Sequence, residues 1–190
     1  LKSRHTFESV GIKQYRILLE KSAAVFKPDK SVYTESVVIN GIEGLWLIPE
    51  NHKSQRLIFY VHGGGFIAGS ILSHKDLASR VAKACRAKTL LLNYSLAPEH
   101  PFPAGLNEVN NLYNQVWEEY GQDCSISLIG DSAGAGLALS LLSGLSPHLL
   151  PSATVLLSPW IDLSCQSNSY IENKEKDPML KQDMLKKTAE

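Results

Sequence analysis

The chain has 190 residues and carries 19 Lys and Arg against 19 Asp and Glu, so its formal net charge is zero at pH 7. This balance excludes the excess of positive charge that marks nucleic-acid and anionic-membrane binding, and we expect neither partner. Hydrophobic residues make up 44% of the chain, as in an ordinary globular domain. Because no apolar run approaches the ~20 residues of a membrane helix, we expect a soluble, cytoplasmic protein.

The cysteines are Cys85, Cys124 and Cys165, and they form neither a CxxC pair nor a metal-ligand cluster. An odd number excludes a complete disulfide framework, so we predict reduced, mostly buried thiols and no bound metal. The chain starts at Leu1 rather than at Met, and its first residues contain no apolar signal segment.

The first part of the chain predicts a helix and then a β-hairpin. Apolar residues recur at helical spacing between Phe7 and Val25. The following stretch, VYTESVVINGIEGLWLIPE, has β-branched residues on both sides of Asn40-Gly41, which is the strongest short signal for a hairpin.

From Leu57 onward, apolar runs alternate with helical patterns. The predicted strands are RLIFYV, TLLLN, SISLIG and SATVLLSPWIDL. The predicted helices are HKDLASRVAKACRA with Ser73 as its N-cap, PAGLNEVNNLYNQVWEEYG closed by Gly121, Ser132 to Leu145, and Met179 to Lys187. Strands without in–out alternation are buried on both faces, as in parallel sheets with right-handed crossovers. We therefore predict the α/β class, with an open, mostly parallel sheet flanked by helices and preceded by an antiparallel hairpin.

Three motifs follow three of these strands directly: HGGG at 62–65, YSLAPE at 94–99 and GDSAG at 130–134. Because the carboxyl ends of parallel strands meet at one edge of the sheet, we expect the three motifs to converge there.

Ser132 is the candidate nucleophile at this edge. A strand that passes directly into a helix forces a strained turn, and Gly130 and Gly134 leave room for it. The serine hydroxyl then lies near a helix N-terminus, which favours developing negative charge. The alternative interpretation is a serine N-cap between glycines used for close packing.

The glycines after His62 predict an oxyanion hole. Backbone N–H groups approach an oxyanion closely only where no Cβ intervenes. We expect the donors to be the N–H groups of Gly64, Gly65 and Ala133. A phosphate-binding loop is the rival interpretation, but no GxGxxG and no Gly-Lys-Ser/Thr occurs nearby. His62 could act as a base, but its place in the loop suggests instead that it orders the loop.

The stretches HGGGFIAG, NYSLAPEHPFPAGLNEV, IGDSAGAGLA and LLSPWIDLS together resemble the hormone-sensitive-lipase branch of the α/β-hydrolase esterases. The resemblance runs from about Leu57 to Leu180 and implies an α/β-hydrolase fold, Ser132 as nucleophile, the oxyanion hole above and no cofactor. We also expect His62, Gly63 and Asp131 to support the loop. One position departs from the family pattern, because Ser95 stands where the motif usually has Arg, which leaves the support of Pro98-Glu99 in doubt.

The base and the acid that a serine nucleophile needs are harder to find. In this fold they follow the serine in the order Ser, acid, His. His148 is the only later histidine. A helix of about 14 residues lies between Ser132 and His148, so we expect His148 near the opposite end of the sheet. The earlier histidines would break the chain order; they are His5, His52, His74 and His100.

The candidate acids are Asp162 and Asp177, and neither fits well. Asp162 follows a strand at the correct edge, but a structural turn is the favoured interpretation. Asp177-Pro178 belongs, by resemblance, to a cap insertion that precedes the usual acid. We therefore expect the acid and the histidine beyond Glu190, and we expect this chain alone to be nearly inactive.

The resemblance also implies an organisation and a function. One domain spans residues 1–190, with a cap helix at about 1–25, a sheet core at about 30–165 and the start of a cap insertion at about 166–190. The expected activity is hydrolysis of short to medium acyl esters, with a small-molecule ester as the partner. The alternatives are a non-catalytic, hormone-receptor-like binding protein and a structural fragment. An unpaired edge at the last strand also predicts marginal stability or a homodimer.

Overall fold

The computed structural model describes residues 7–177 and 179–189. In these residues the strands are β1 (Val32–Ile39), β2 (Ile42–Pro49), β3 (Arg56–Val61), β4 (Lys88–Leu92), β5 (Ser125–Asp131) and β6 (Ala153–Leu157). The helices are α1 (Phe7–Val10), α2 (Ile12–Ala23), α3 (Ile71–Cys85), α4 (Ala104–Tyr120), α5 (Ser132–Gly144), α6 (Ser169–Glu172) and α7 (Gln182–Ala189). A short 3₁₀ helix at Pro147–Leu149 precedes β6.

The strands form one sheet in the order β1-β2-β4-β3-β5-β6. β1 and β2 form the predicted antiparallel hairpin, and β2 also pairs antiparallel with β4. The remaining pairs, β4–β3, β3–β5 and β5–β6, are parallel. The predicted α/β class with a mostly parallel sheet is therefore confirmed.

The sheet separates two apolar cores, which explains why the central strands lack in–out alternation. On β3, Phe59 faces the core formed with α4 and α5, and Tyr60 faces the core formed with α3. Both side chains are fully buried. A strand covered by helices on both faces must be apolar at successive positions, as the run RLIFYV is.

Several predicted boundaries were wrong. The helix between Phe7 and Val25 is broken at Gly11, whose φ of 79° lies in the region that favours glycine. The N-cap of α3 is Ser70 rather than Ser73. Ser73 instead occupies the third helical position and bonds back to the Ser70 N–H, completing a capping box.

The C-terminal predictions also need correction. The fourth predicted strand, SATVLLSPWIDL, pairs only as far as Leu157, and Ser158 then turns with a φ of 46°. Predicted to begin at Met179, the last helix begins at Gln182. The cysteines are unpaired, but only Cys165 is buried, so the prediction of mostly buried thiols was wrong.

Among the described residues, β6 pairs with β5 alone, and four of its five residues are exposed. No helix in the described part of the chain is both long enough and apolar enough to span a bilayer.

Candidate active site

Ser132 lies at the point where β5 passes into α5 with no intervening residue. Its φ of 51° is uncommon for a residue with a side chain, so the backbone is strained there. The flanking glycines make this turn possible. A Cβ on Gly134 would lie 2.3 Å from the carbonyl oxygens of Val61 and His62, and one on Gly130 would lie 2.6 Å from the Gly134 carbonyl oxygen.

Asp131 precedes Ser132, and its carboxylate does not cap α5. Oδ1 instead accepts hydrogen bonds from Gly63 N–H and from the Tyr60 hydroxyl, both at 3.1 Å. Oδ2 lies 3.4 Å from His74 Nε2. The first N–H groups of a helix have no partner within it, and Ala133 N–H has no acceptor among the described residues.

The glycine loop, residues 63–69, lies directly against this turn. A Cβ on Gly63 would lie 3.1 Å from Ser132 Cβ. Gly64 and Gly65 have φ values of 132° and 64°, in the region that favours glycine. Neither of their N–H groups donates a hydrogen bond to a described residue. The turn and the loop therefore bring three uncommitted donors, on Gly64, Gly65 and Ala133, to the same edge of the sheet as Ser132.

His62 is fully buried beneath the loop. Its Nδ1 donates to the Gly63 carbonyl oxygen at 2.8 Å, and its ring stacks on those of Tyr94 and His74 at centroid distances of 4.4 and 5.2 Å. Burial, with the nearby His74, lowers the pKa of His62 to about 4. The imidazole is therefore neutral at pH 7, and its contacts hold the backbone of the glycine loop.

The charge of Asp131 is stabilised by the same contacts. Burial by itself raises the pKa of this carboxyl, but the hydrogen bond and charge of His74, with the Gly63 and Tyr60 hydrogen bonds, bring it below its ordinary value. Burial and this carboxylate together raise the pKa of the Tyr60 hydroxyl. Asp131 is thus an ionised anchor between the strained turn and the loop.

Residues 58–190 match the family described as alpha/beta hydrolase fold. The chain belongs to this family. It is 31% identical to an esterase of Acinetobacter venetianus over 90% of the chain and 56% of that protein. It is 37% identical to an acetyl-hydrolase of Streptomyces hygroscopicus, over 76% of the chain and 49% of that protein.

Solved structures place this α/β hydrolase in the hormone-sensitive lipase branch. A bacterial esterase of that branch superposes with a TM-score of 0.87 at 32% identity, over 99% of the chain and 62% of the esterase. EstE5 soaked with p-nitrophenyl butyrate gives a TM-score of 0.87 at 33% identity, over 99% of the chain and 63% of EstE5. The chain thus spans about half to two thirds of the length of these proteins.

Among the described residues, no side chain hydrogen-bonds to Ser132 Oγ. His148 packs edge-on against Trp117 in the 3₁₀ helix before β6, near the end of the sheet opposite Ser132. His52 contacts the Pro49 carbonyl oxygen in the turn after β2, and His100 is exposed. His74 is near the site but bonds to Asp131, and His5 lies outside the described residues.

The two candidate acids both organise turns. Exposed Asp162 accepts hydrogen bonds from the N–H and the hydroxyl of Ser164, which lower its pKa. Asp177 accepts hydrogen bonds from the N–H groups of Met179 and Leu180, ahead of α7. Pro178 lies outside the described residues. Neither carboxylate bonds to a described histidine.

Two aromatic rings and one helix border the site. Phe66 and Trp160 stack at 5.4 Å, and the backbone N–H of Trp160 donates to the Ser132 carbonyl oxygen at 3.1 Å. From α7, the Thr188 methyl would lie 3.5 Å from a Cβ on Gly65. The candidate site is therefore bounded by an aromatic pair and by α7.

Sequence reasoning missed the residues that support the loops. Tyr94 lies within a recognised motif, yet only the fold shows that its hydroxyl donates to the His62 carbonyl oxygen at 2.7 Å. Ser95 itself is held by Glu108, which accepts hydrogen bonds from the Ser95 N–H and hydroxyl, both at 2.6 Å. Support for Glu99 comes from Arg16 of α2.

Proposed function

We propose that the protein containing this chain is a serine carboxylesterase that hydrolyses short to medium acyl esters through an acyl-enzyme. The observation that carries the proposal is the position of Ser132, at a φ of 51° on a β5–α5 turn bordered by three uncommitted N–H donors. This arrangement is what attack on an ester carbonyl requires, because the nucleophile and the oxyanion donors must share one reaction space.

In the proposed reaction, Ser132 Oγ attacks the carbonyl carbon and forms a tetrahedral intermediate. Its oxyanion accepts hydrogen bonds from the N–H groups of Gly64, Gly65 and Ala133, supported from behind by His62, Gly63 and Asp131. Collapse expels the alcohol and leaves an acyl group on Ser132. Water then attacks the acyl group, and the carboxylic acid leaves.

The proton of Ser132 passes to a base, which gives it to the departing alcohol oxygen, and the same base then takes a proton from the attacking water and returns it to Ser132 Oγ. We assign that role to a histidine outside residues 1–190, oriented by an acid from the same region. No described histidine bonds to Ser132, and the matched esterases are longer than this chain.

We also assign residues 1–25 and 166–190 to a cap over the site, and we propose a homodimer formed through β6.

The substrate class rests on the relatives. One is called an acetyl-hydrolase, and the solved structure of EstE5 was obtained after soaking with p-nitrophenyl butyrate. We therefore expect kcat/KM to be higher for p-nitrophenyl acetate and butyrate than for the palmitate ester. A hormone-receptor-like binding protein is less favoured, because the matched relatives named above are esterases and hydrolases.

Fluorophosphonate labelling of the longest natural protein that contains this chain tests the nucleophile. We expect labelling of the wild type and none of Ser132→Ala. Ser140→Ala is the matched control, because Ser140 is an exposed serine of the same helix whose hydroxyl bonds to the Gly136 carbonyl oxygen. Labelling that persists in Ser132→Ala removes Ser132 from this role, and a wild type that neither labels nor hydrolyses esters favours a binding protein.

A further inference from the structure

We propose that Arg16 of α2 is a positioning residue that fixes the glycine loop, residues 63–69, against the adjoining loop, residues 95–99. The inference rests on the proposed esterase function, because its consequence is the alignment of the oxyanion donors.

The Arg16 guanidinium bonds to both loops at once. Nε donates to the Ile67 carbonyl oxygen at 2.7 Å, and Nη2 donates to the Ala97 carbonyl oxygen at 2.8 Å. Nη1 and Nη2 also form a two-point ion pair with the Glu99 carboxylate, at 2.9 and 2.7 Å. The loops also touch directly, since Ala97 N–H donates to the Phe66 carbonyl oxygen at 3.0 Å. One side chain thus ties together two segments that follow different strands.

The glycine loop is closely folded on itself, so the position of Ile67 affects the position of the Gly64 and Gly65 N–H groups. Ala68 N–H donates to the Gly64 carbonyl oxygen at 3.0 Å, and a Cβ on Gly64 would lie 2.0 Å from the Ala68 carbonyl oxygen. A Cβ on Gly69 would lie 2.1 Å from the Gly63 carbonyl oxygen. A shift at Ile67 therefore displaces the backbone that carries the Gly64 and Gly65 N–H groups.

A second contact from α2 holds the other end of the loop. Glu20 lies four residues after Arg16, on the same face of the helix. Its carboxylate accepts a hydrogen bond at 2.8 Å from the hydroxyl of Ser70, the N-cap of α3. Helix α2 is thus attached to the loop at Ile67 and just after Gly69, which restrains the segment in between.

The contact needs the chemistry of arginine. A guanidinium presents several donors in a fixed plane, whereas an ammonium acts as a single point charge. A lysine at position 16 carries its three donors on a single nitrogen, so it cannot reproduce the two-point ion pair with Glu99 together with the bonds to the Ile67 and Ala97 carbonyl oxygens. The hydrogen bonds from Arg16 also lower the pKa of Glu99 to about 2, so the ion pair persists at the pH of an esterase assay.

The test compares Arg16→Met and Arg16→Lys with wild type in the longest natural protein that contains this chain. Arg80→Met is the matched control, because the Arg80 guanidinium pairs with Asp76 within α3 at 2.9 Å. The measurements are kcat and KM for p-nitrophenyl butyrate, the thermal midpoint, and hydrogen exchange in peptides covering residues 63–69 and 95–99.

For Arg16→Met we expect kcat to fall about tenfold, with KM changed less than about twofold, because misplaced donors weaken transition-state binding. Hydrogen exchange should become faster in residues 63–69 and 95–99 of this variant. Arg16→Lys should recover part of the lost kcat, and Arg80→Met should retain the wild-type kcat. A kcat for Arg16→Met equal to that of Arg80→Met overturns the proposal, as does a loss that disappears once unfolded protein is subtracted.

Two further measurements keep the outcomes distinct. If the wild type neither hydrolyses esters nor labels with a fluorophosphonate, the esterase function fails and hydrogen exchange alone decides the role of Arg16. If Arg16→Met does not fold, Glu99→Gln replaces it. That variant removes the carboxylate charge, leaves the Ile67 and Ala97 acceptors in place, and is expected to lower kcat less than about threefold; an unchanged exchange rate at residues 95–99 would then contradict the proposal.

Discussion

Gly63 N–H donates a hydrogen bond to Asp131 Oδ1 at 3.1 Å, and this bond joins the glycine loop to the turn that carries Ser132. The two segments follow neighbouring parallel strands, since Val61 of β3 pairs in register with Gly130 of β5. The sheet sets the distance between them, and the Asp131 carboxylate fixes their orientation. The nucleophile and its oxyanion donors are therefore held by one polar contact as well as by the sheet.

Replacing Asp131 tests whether its carboxylate, in addition to the sheet, aligns the glycine loop with Ser132. Asp131→Ala leaves Gly63 N–H and the Tyr60 hydroxyl without their acceptor, which we expect to cost about 1–3 kcal/mol in the free energy of unfolding. We expect kcat to fall ten- to a hundredfold, whereas Asp131→Asn, which keeps Oδ1 as an acceptor, should retain most of it. Urea unfolding and ester turnover measure the two quantities. Wild-type kcat in Asp131→Ala would show that the contact does not align the site.

Stability should decline as the pH falls from about 6.5 to 4, because His62 is buried in its neutral form. Its pKa in the folded state, about 4, lies below the ordinary value of 6.5, so the unfolded chain takes up the proton first. The free energy of unfolding should therefore fall by up to about 3 kcal/mol across this window and level off below it.

Urea unfolding between pH 7.5 and 4 checks this dependence. His62→Phe keeps a ring between Tyr94 and His74 but removes the titrating group, so its stability should vary less with pH. His52→Phe, a change in an exposed turn, should keep the wild-type dependence. Equal slopes for the wild type and His62→Phe would rule out His62 as the cause.

Two glycines of α5 should respond in opposite directions to alanine. A Cβ on Gly134 would clash with two carbonyl oxygens of the β3 end, whereas a Cβ on Gly144 meets nothing within 4 Å. We expect Gly134→Ala to cost about 3 kcal/mol or more and to abolish activity. Gly144→Ala should stabilise the protein by a few tenths to about 1 kcal/mol. Thermal unfolding of both variants decides the matter, and a well-folded, active Gly134→Ala would refute the packing argument.

The exposed edge of β6 predicts self-association of the 190-residue chain. Val155 is 43% exposed on this strand, and a lysine there places a charge on the edge. In sedimentation velocity we expect the wild type to dimerise with increasing concentration and Val155→Lys to remain monomeric. Leu72→Lys, at a more exposed apolar site on α3 (66%), should dimerise like the wild type. A stable wild-type monomer at every concentration would count against pairing through β6.

The features that sequence predicted best depend on local backbone chemistry. A Gly-Asp-Ser-Ala-Gly stretch between a strand and a helix requires a tight turn, and consecutive glycines after a strand permit close approach of N–H groups. These requirements are set by residues within a few positions of each other. They can therefore be recognised in the sequence alone, as could the Asn40-Gly41 hairpin.

What sequence could not predict depends on pairs that meet only in the folded chain. Arg16 and Glu99 are 83 residues apart, and His74 and Asp131 are 57 apart. Neither pair has a fixed spacing that a pattern could detect. The prediction of where α3 starts failed for a different reason. Ser70 and Ser73 are both good N-cap residues, and only the hydrogen bonds between them in the folded chain show that Ser70 is the cap.

The strand order has a consequence for how the chain is made. During synthesis the β1–β2 hairpin leaves the ribosome before its sheet partner β4, to which β2 pairs from Gly44↔Leu92 to Leu47↔Thr89. Leu45 and Leu47, both buried in the finished sheet, stay uncovered until β4 and α3 have emerged. For a time the nascent chain therefore carries a complete hairpin whose apolar strand β2 is still uncovered. Chaperone binding or misassembly would compete with folding during that time.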